Sequence, residues 1–338
     1  MTPSDAIIVG RDQHEDLSLD ADVVIIGSGA GGSVVAATLA EAGKRVLILE
    51  EGPFVAPEVY AKMRPSQSMR TVWRDNAMSF ALPIGDTPLI NVTMGRAVGG
   101  SSILTGGVCF RTPDDVLDVW SEDMGLDELT PAGLEPYFEE VERDIHVETV
   151  PESMRSRSTN LFGEGLKTRG VELKPLQRNT RDCHGSGTCN FGCPRQAKLS
   201  VDVSYLPRAF AKQARLVSDC LVERIVMEGS RAVGVRGRLL DAKGRRGHNV
   251  TIRAGTVVVA AGGWHSPSLL RDIGTRSEDL GRNLTLHPSF RMLARFDEEV
   301  NGWSGSLQSA FSDAYMKEGI TLVSLFIPTG VLAATMPG

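Results

Sequence analysis

The sequence predicts an α/β protein: a Rossmann-like βαβ dinucleotide-binding domain together with a second, partly β-sheet domain of α+β character. Three observations predict it. Residues 22–50, DVVIIGSGAGGSVVAATLAEAGKRVLILE, run from apolar strand through glycine turn and helix to a second strand that ends in an acid. Residues 257–261 form another continuous apolar strand that also ends in a glycine pair, Gly262-Gly263. The length of 338 residues suggests two domains, at roughly 150 residues for each.

The first unit can be justified residue by residue. Residues 23–26 are an unbroken β-branched run, as a parallel strand buried on both faces requires. Gly27, Gly29 and Gly32, with Ser28, Ala30 and Gly31 between them, satisfy G-x-G-x-x-G. The three glycines serve a tight turn, close backbone approach to a pyrophosphate, and contact of helix with strand. The helix starts here, so its free N–H groups and positive dipole end face the phosphates. Residues 33–42 are rich in Ala and Leu, and Gly43 stands where the residue after a helix cap is expected. Residues 44–49 are the second strand, and Glu50 ends it where a carboxylate can accept hydrogen bonds from a ribose. A glycine turn alone is weak support for a ligand; strand, turn, helix, strand and acid in this order are much stronger.

Further along, residues 53–93 have little periodicity and read as an extended connection over the nucleotide. Residues 115–147 are helical in character, with a helix start at Pro131 after Thr130 and an acidic, solvated face of Glu135, Glu139, Glu140 and Glu142. A short helix is expected over 161–169 and another over 205–213. Residues 216–226, 232–240 and 250–252 read as strands, with turns at Glu228-Gly229 and Lys243-Gly244.

Composition narrows the classes. Hydrophobic content of 41% and charged content of 23% are ordinary for a globular protein. A net charge of −6 argues against a general nucleic-acid role. The local basic run of Arg236, Arg238, Lys243, Arg245 and Arg246 surrounds Asp241 and includes Gly244, so a solvated hairpin is expected there. The first twenty residues hold five acids and no basic segment leading into an apolar one, so no signal peptide is read and a cytoplasmic location is expected. Five cysteines, an odd number, point to a reducing compartment rather than a disulfide framework. Residues 319–338 carry no charge, but Pro328 and Gly330 interrupt them. Residues 320–327 therefore read as a buried strand, and no membrane span is expected.

A second glycine cluster, GRAVGGSSILTGG at residues 95–107, offers backbone N–H groups and the hydroxyls of Ser101 and Ser102 to a cofactor. Two such segments far apart in the chain suit a long, buried flavin dinucleotide better than an exchangeable nicotinamide, which is the weaker alternative.

With these motifs assembled, the chain resembles the glucose-methanol-choline (GMC) flavoprotein oxidoreductases. GSGAGG with Glu50 is similar to the family's nucleotide site, and GRAVGGSSILTGG followed by Phe110-Arg111 to its first signature. VVVAAGGWHSPSLLRDIG at 257–274 resembles the second signature, and GRNLTLHP at 281–288 the family's G-x-N-L-x-x-H element. The resemblance implies FAD, held by Gly27, Ser28, Gly29, Ala30, Gly31, Gly32, Glu50, Gly95, Arg96, Gly99, Gly100, Ser101, Ser102, Thr105 and Gly106. It also implies contributions from Ala261 and Gly262, and from Val222 on the adenine side. It implies an FAD-binding domain over 1–112 and 200–289, and a substrate or cap domain over 113–199 and 290–338. The implied reaction is oxidation of the CH–OH group of an alcohol, sugar or sterol-like donor by hydride transfer to flavin N5, with oxygen, quinone or a redox protein as acceptor.

The departures carry information too. Thr105 stands where the family has asparagine, Gly263 and Trp264 replace small residues, and Ile273 replaces serine. The family's base is a histidine paired with a second histidine or an asparagine in a later segment, and no histidine follows Pro288. No catalytic residue is therefore assigned; the histidine pair is expected beyond Gly338. The alternative function is a flavin-binding fragment, or one piece of a split GMC enzyme without turnover on its own. His287 is expected to be a buried structural histidine.

Cys183, Cys189 and Cys193 have the spacing C-x5-C-x3-C, with Pro194 directly after the last. Three readings stand beside one another: iron–sulfur ligation, where cysteine runs often end in Cys-Pro and for which some members of the family offer a parallel; zinc with His184 as a fourth ligand; and a glycine-cysteine loop with reduced thiols. Cys109 and Cys220 lie in apolar contexts and are expected in the core.

Overall fold

The computed structural model describes residues 3–82, 85, 89–287 and 289–328. The chain divides into two compact units that alternate along it, 1–104 with 201–294 and 105–200 with 295–338. The breaks fall at 104, 200 and 294, against 112, 199 and 289 in the sequence reading.

The first unit is built on a seven-stranded sheet. Its strands are β1 (Ile7–Val9), β2 (Leu17–Ile26), β3 (Val46–Leu49), β4 (Arg215–Ser218), β5 (Cys220–Glu228), β6 (Arg231–Leu240) and β7 (Arg246–Val259), in the order β1-β4-β3-β2-β7-β6-β5. From β1 to β7 all pairings are parallel, while β7 with β6 and β6 with β5 are antiparallel. The helices that bear on the site are α1 (Ala30–Glu41), α2 (Pro65–Val72), α3 (Tyr205–Ala211) and α4 (Gly262–Asp272). Val24 and Ile25 are neighbours that point to opposite faces of the sheet, and both are fully buried. The sheet is thus covered on both sides at its centre, which is why this stretch reads as a continuous apolar run.

α1 ends as the sequence predicts. Gly43 lies in the left-handed region at φ +79, its N–H donates to the Ala40 carbonyl at 3.0 Å, and the Lys44 N–H donates to the Leu39 carbonyl at 3.0 Å. This pair of bonds satisfies the last free carbonyls of the helix in the Schellman pattern.

Three strand expectations change. Residues 216–226 form not one strand but two, β4 and β5, separated by Asp219 at φ +50. The buried Asp219 carboxylate accepts from the Arg11 guanidinium and the Ser218 hydroxyl. The break transfers the chain from the parallel sheet to the antiparallel meander. Conversely, the strands expected at 250–252 and 257–261 belong to one 14-residue strand, β7. Gly255 interrupts the apolar pattern without interrupting pairing, because Ala254 pairs with Ala21 and Thr256 with Val23.

The connection over 53–93 holds more structure than its composition suggests. Pro57 and Pro65 each begin a helix, Pro57–Tyr60 and α2, because proline at the first helical position gives up only an N–H that is free there anyway. The basic hairpin between β6 and β7 is solvated as expected, with the Asp241 carboxylate accepting from the Lys243 and Arg245 N–H groups and the Arg245 side chain.

The second unit contains the helices Pro131–Asp144 and Arg157–Lys167 and a three-stranded sheet in the order Leu322–Val323, Ala310–Ser312, Lys174–Pro175. The Thr130 hydroxyl accepts from the Gly133 N–H at 3.0 Å and caps the longer helix. Its acidic face is not simply solvated: Arg111 holds both Glu135 and Glu142, each at 2.7 Å. The strand expected over 320–327 is reduced to Leu322–Val323, and residues 329–338 of the uncharged stretch lie outside the described residues. Among the described residues no helix is long and apolar enough to cross a membrane.

Substituting Gly43→Val forces a β-branched side chain into the left-handed region at the end of α1. A loss of about 1–2 kcal/mol is expected, measured by urea denaturation against the unsubstituted chain.

Candidate functional site

At the carboxyl end of β2 the chain turns through Gly27, at φ +101, where an added Cβ would lie 2.4 Å from the Ala260 carbonyl oxygen. A Cβ on Gly32 would lie 2.1 Å from the Gly27 carbonyl oxygen. Both glycines are therefore required by the packing of turn, helix and neighbouring strand. Gly29 and Gly31 are different. A Cβ on Gly29 would meet only the Gly100 Cα, at 4.0 Å, and one on Gly31 would meet nothing within 4 Å. No side chain caps α1 at Gly29. The positive end of the helix thus faces open space lined by backbone, which fits a phosphate group.

Glu50 closes the turn from within the protein. It is 7% exposed; one carboxylate oxygen, Oε2, accepts from the Ser28 N–H at 3.0 Å and the Ser28 hydroxyl at 2.7 Å, and Oε1 accepts from the Gly52 N–H at 2.8 Å. Burial pushes the Glu50 pKa up, and these hydrogen bonds oppose the shift without cancelling it.

The second glycine segment is attached to the first. The Ser28 hydroxyl oxygen accepts from the Gly99 N–H at 3.0 Å, and a Cβ on Gly100 would lie 2.7 Å from the Gly29 Cα. Within the segment, the Gly95 N–H donates to the Ser101 hydroxyl at 2.9 Å and the Ser102 hydroxyl donates to the Gly99 carbonyl at 2.7 Å. Its outer side is held by the Arg96 N–H on the Val72 carbonyl of α2 and the Val98 N–H on the Pro53 carbonyl.

Arg96 leads to a group that the sequence did not single out. Glu51 accepts from Arg96 Nε at 3.0 Å and from Arg74 Nη2 at 2.5 Å. Burial alone would push Glu51 up, but the Arg74 hydrogen bond and the charges of Arg74 and Arg96 hold its pKa below the usual range. Half-buried His265 is shifted down by burial and by Arg74. Only the adjacency of Glu51 to Glu50 hinted at this group in the sequence.

The remaining candidates are distributed as follows. Ala261 is the N-cap of α4 and Gly262 begins it at φ +77, while the Ala260 N–H donates to the Ile26 carbonyl at 2.9 Å and keeps the ends of β2 and β7 side by side. Val222 packs in the core of the first unit, in one cluster with Leu239, Val235 and Ile225. Thr105 and Gly106 belong to the second unit. There the Thr105 carbonyl accepts from Lys198 Nζ at 2.8 Å, and the Gly106 carbonyl accepts from Arg178 Nε at 2.9 Å and Nη2 at 2.5 Å. Arg178 and Lys198 are fully buried, and neither spacing nor pattern announced them.

Among the described residues no three His, Cys, Asp or Glu side chains are grouped so as to hold a metal ion, and Cys183, Cys189 and Cys193 are not brought together as such a group. Cys189 instead packs with Leu307 and Phe326, and Arg178 Nη2 donates to its sulfur at 3.2 Å. Gly185 and Gly187 press the loop onto Gly305 and Phe326, where added Cβ atoms would lie at 3.0 and 2.9 Å. His287, expected to be buried, is exposed. Cys220 is in the core as expected, and Cys109 is half-buried.

Adjacent parallel strands with a glycine turn, an uncapped helix end and an acid at the end of the next strand define the class of α/β dinucleotide-binding proteins. The family model for GMC oxidoreductases matches residues 21–289, and the chain belongs to that family. It is 36% identical over 320 residues to the uncharacterized GMC-type oxidoreductase Rv0492c of Mycobacterium tuberculosis, covering 94% of this chain and 50% of the relative. It is 30% identical over 285 residues to the long-chain-alcohol oxidase FAO3 of Arabidopsis thaliana, covering 82% of this chain and 37% of the relative. The fold matches a crystal structure of formate oxidase with a TM-score of 0.55 at 20% identity, over 76% of this chain and 48% of that one. The chain thus spans about half the length, or less, of the relatives it matches here.

Ser28→Ala removes a donor to Glu50 and the acceptor for the Gly99 N–H. A loss of roughly 1–3 kcal/mol at neutral pH is expected. Because the folded pKa of Glu50 is raised, its ionisation opposes folding above that value, and the opposition fades as pH falls through it. The cost of Ser28→Ala should therefore shrink on acidification, as read from thermal unfolding of both proteins across pH; an unchanged difference would remove Glu50 from this role.

Proposed function

We propose that this chain is the nucleotide-binding part of an FAD-dependent oxidoreductase acting on the CH–OH group of an alcohol-type donor. The observation that carries the reading is the open backbone cradle at the start of α1, where Gly29 and Gly31 have no protein neighbour that requires glycine. FAD, when bound, supplies the hydride acceptor for such a donor. The free amides of the first turn of α1 bind the pyrophosphate, with the helix dipole favouring the negative charge. Glu50 Oε1 has one protein donor and retains a lone pair for a ribose hydroxyl. Gly99, Gly100 and Ser101 present backbone and hydroxyl groups along the cofactor, and the Ser28 hydroxyl fixes their position relative to α1. Ala261 and Gly262 border the same end of the sheet. An alcohol donor is supported by the long-chain-alcohol oxidase among the relatives. No residue of this chain is assigned as the catalytic base.

A second reading, a flavin-binding piece without turnover on its own, is favoured by the coverage of only half of the mycobacterial relative. One experiment separates the two. The purified chain is denatured to release its flavin, and the native protein is mixed anaerobically with long-chain primary alcohols and with choline. FAD on the chain, with its visible band bleached by an alcohol, is the expected result. Bound FAD that no alcohol bleaches assigns the second reading, and a chain without flavin contradicts both.

A further inference from the structure

Three consecutive residues after β3 reach the two glycine segments. Glu50 accepts from the Ser28 N–H and hydroxyl in the first turn. Glu51 accepts from Arg96 Nε in the second segment at 3.0 Å, and from Arg74 Nη1 at 3.2 Å and Nη2 at 2.5 Å. Gly52 lies flat against the second segment, where an added Cβ would stand 2.2 Å from the Ala97 nitrogen. Among the described residues the Glu51 carboxylate bonds only to Arg74 and Arg96, so any effect on the cradle passes through Arg96.

The route from Arg96 to the cradle is made of backbone. The Gly95 N–H donates to the Ser101 hydroxyl, and a Cβ on Gly95 would lie 2.6 Å from the Gly100 carbonyl oxygen. Gly100 packs in turn on the Gly29 Cα. With no side chain between them, a displacement of Arg96 is passed on to Gly100 rather than absorbed. On its other side Arg96 is brought beside Arg74 by backbone pairing: the Arg96 N–H donates to the Val72 carbonyl at 2.8 Å and the Arg74 N–H to the Met94 carbonyl at 2.9 Å. Two guanidinium groups held this way repel each other, and among the described residues Glu51 is the one carboxylate paired with either. All three side chains are mostly buried, so solvent screens the group only in part.

We propose that Glu51 is a positioning residue for FAD: acting through Arg96, it fixes the second glycine segment against the start of α1. The inference rests on the flavin reading above. Arg74 is the lesser partner, because the pair of Glu51 and Arg96 is neutral by itself and keeps the segment in place without it.

The test is the FAD affinity of the 338-residue chain at neutral pH, read by flavin fluorescence beside thermal unfolding of each variant. Glu51→Gln should weaken binding by about tenfold or more, because Arg96 loses its anchor. Arg74→Gln should weaken it by less than about threefold. The double variant Glu51→Gln/Arg74→Gln relieves the repulsion that endangers folding of the first, and should bind FAD as weakly as Glu51→Gln. The pH profile separates positioning from packing. Against the upward push of burial, Arg74 and Arg96 hold the Glu51 pKa below the usual carboxylate range, and protonated Glu51 resembles glutamine. The other charged or titratable groups around it, Glu50, His265 and Asp75, are common to both proteins, so the ratio of the two affinities isolates Glu51. That ratio should hold from neutrality down to the usual carboxylate range and shrink only below it, as Glu51 takes up its proton. Unchanged affinity in folded Glu51→Gln or in the double variant, an equal loss in Arg74→Gln, or a ratio that shrinks already above the carboxylate range would each overturn the proposal. A chain that binds no FAD overturns the flavin reading with it, whereas bound FAD without these losses overturns this inference alone.

Discussion

The structure of the site depends on a backbone-to-backbone contact between two glycine segments that lie far apart in the sequence. Gly29 and Gly100 approach so closely that a Cβ on the second would lie 2.7 Å from the Cα of the first, and the Ser28 hydroxyl locks the contact by accepting from Gly99 while donating to Glu50. Side chains larger than hydrogen at Gly27 or Gly32 would separate turn from helix, and one at Gly100 would separate the two segments. The cradle is therefore made of backbone, and its polar character comes from amides and a helix end rather than from charged side chains.

Charge is placed behind this cradle. Glu50 is buried with three protein donors, and Glu51 is bridged by Arg74 and Arg96. An ionised carboxylate in such a position is tolerated only when its oxygens are hydrogen-bonded. Here two of the three Glu50 donors, the Ser28 N–H and hydroxyl, come from the glycine turn at the start of α1, so the order of the cradle and the ionisation of Glu50 are linked. In the second unit a similar rule operates with opposite sign: buried Arg178 and Lys198 are partnered by the Gly106 and Thr105 carbonyls.

Much of this was legible in the sequence because it is local. The strand, turn, helix and strand of residues 22–50 follow from β-branched runs and glycine spacing, and the end of α1 at Gly43 is a local backbone requirement. What could not be read depends on partners distant in sequence. The split of 216–226 into two strands is set by Asp219 and its partner Arg11, and the union of two expected strands into β7 by continuous pairing with β2. The cysteine spacing suggested ligands, but the fold turns Cys189 toward Leu307, Phe326 and Arg178. Arg111 gathers two carboxylates from a helix face that composition alone described as solvated.

At Gly29 an added Cβ would meet no residue beyond its chain neighbours closer than the Gly100 Cα at 4.0 Å, yet it would stand in the space proposed for the pyrophosphate. The direct measurement is the FAD affinity of Gly29→Ala, taken with its thermal stability beside that of the unsubstituted chain. An unchanged unfolding temperature is expected, with FAD binding weakened by about tenfold or more, equivalent to about 1.4 kcal/mol. Unchanged affinity in a stably folded Gly29→Ala would contradict it.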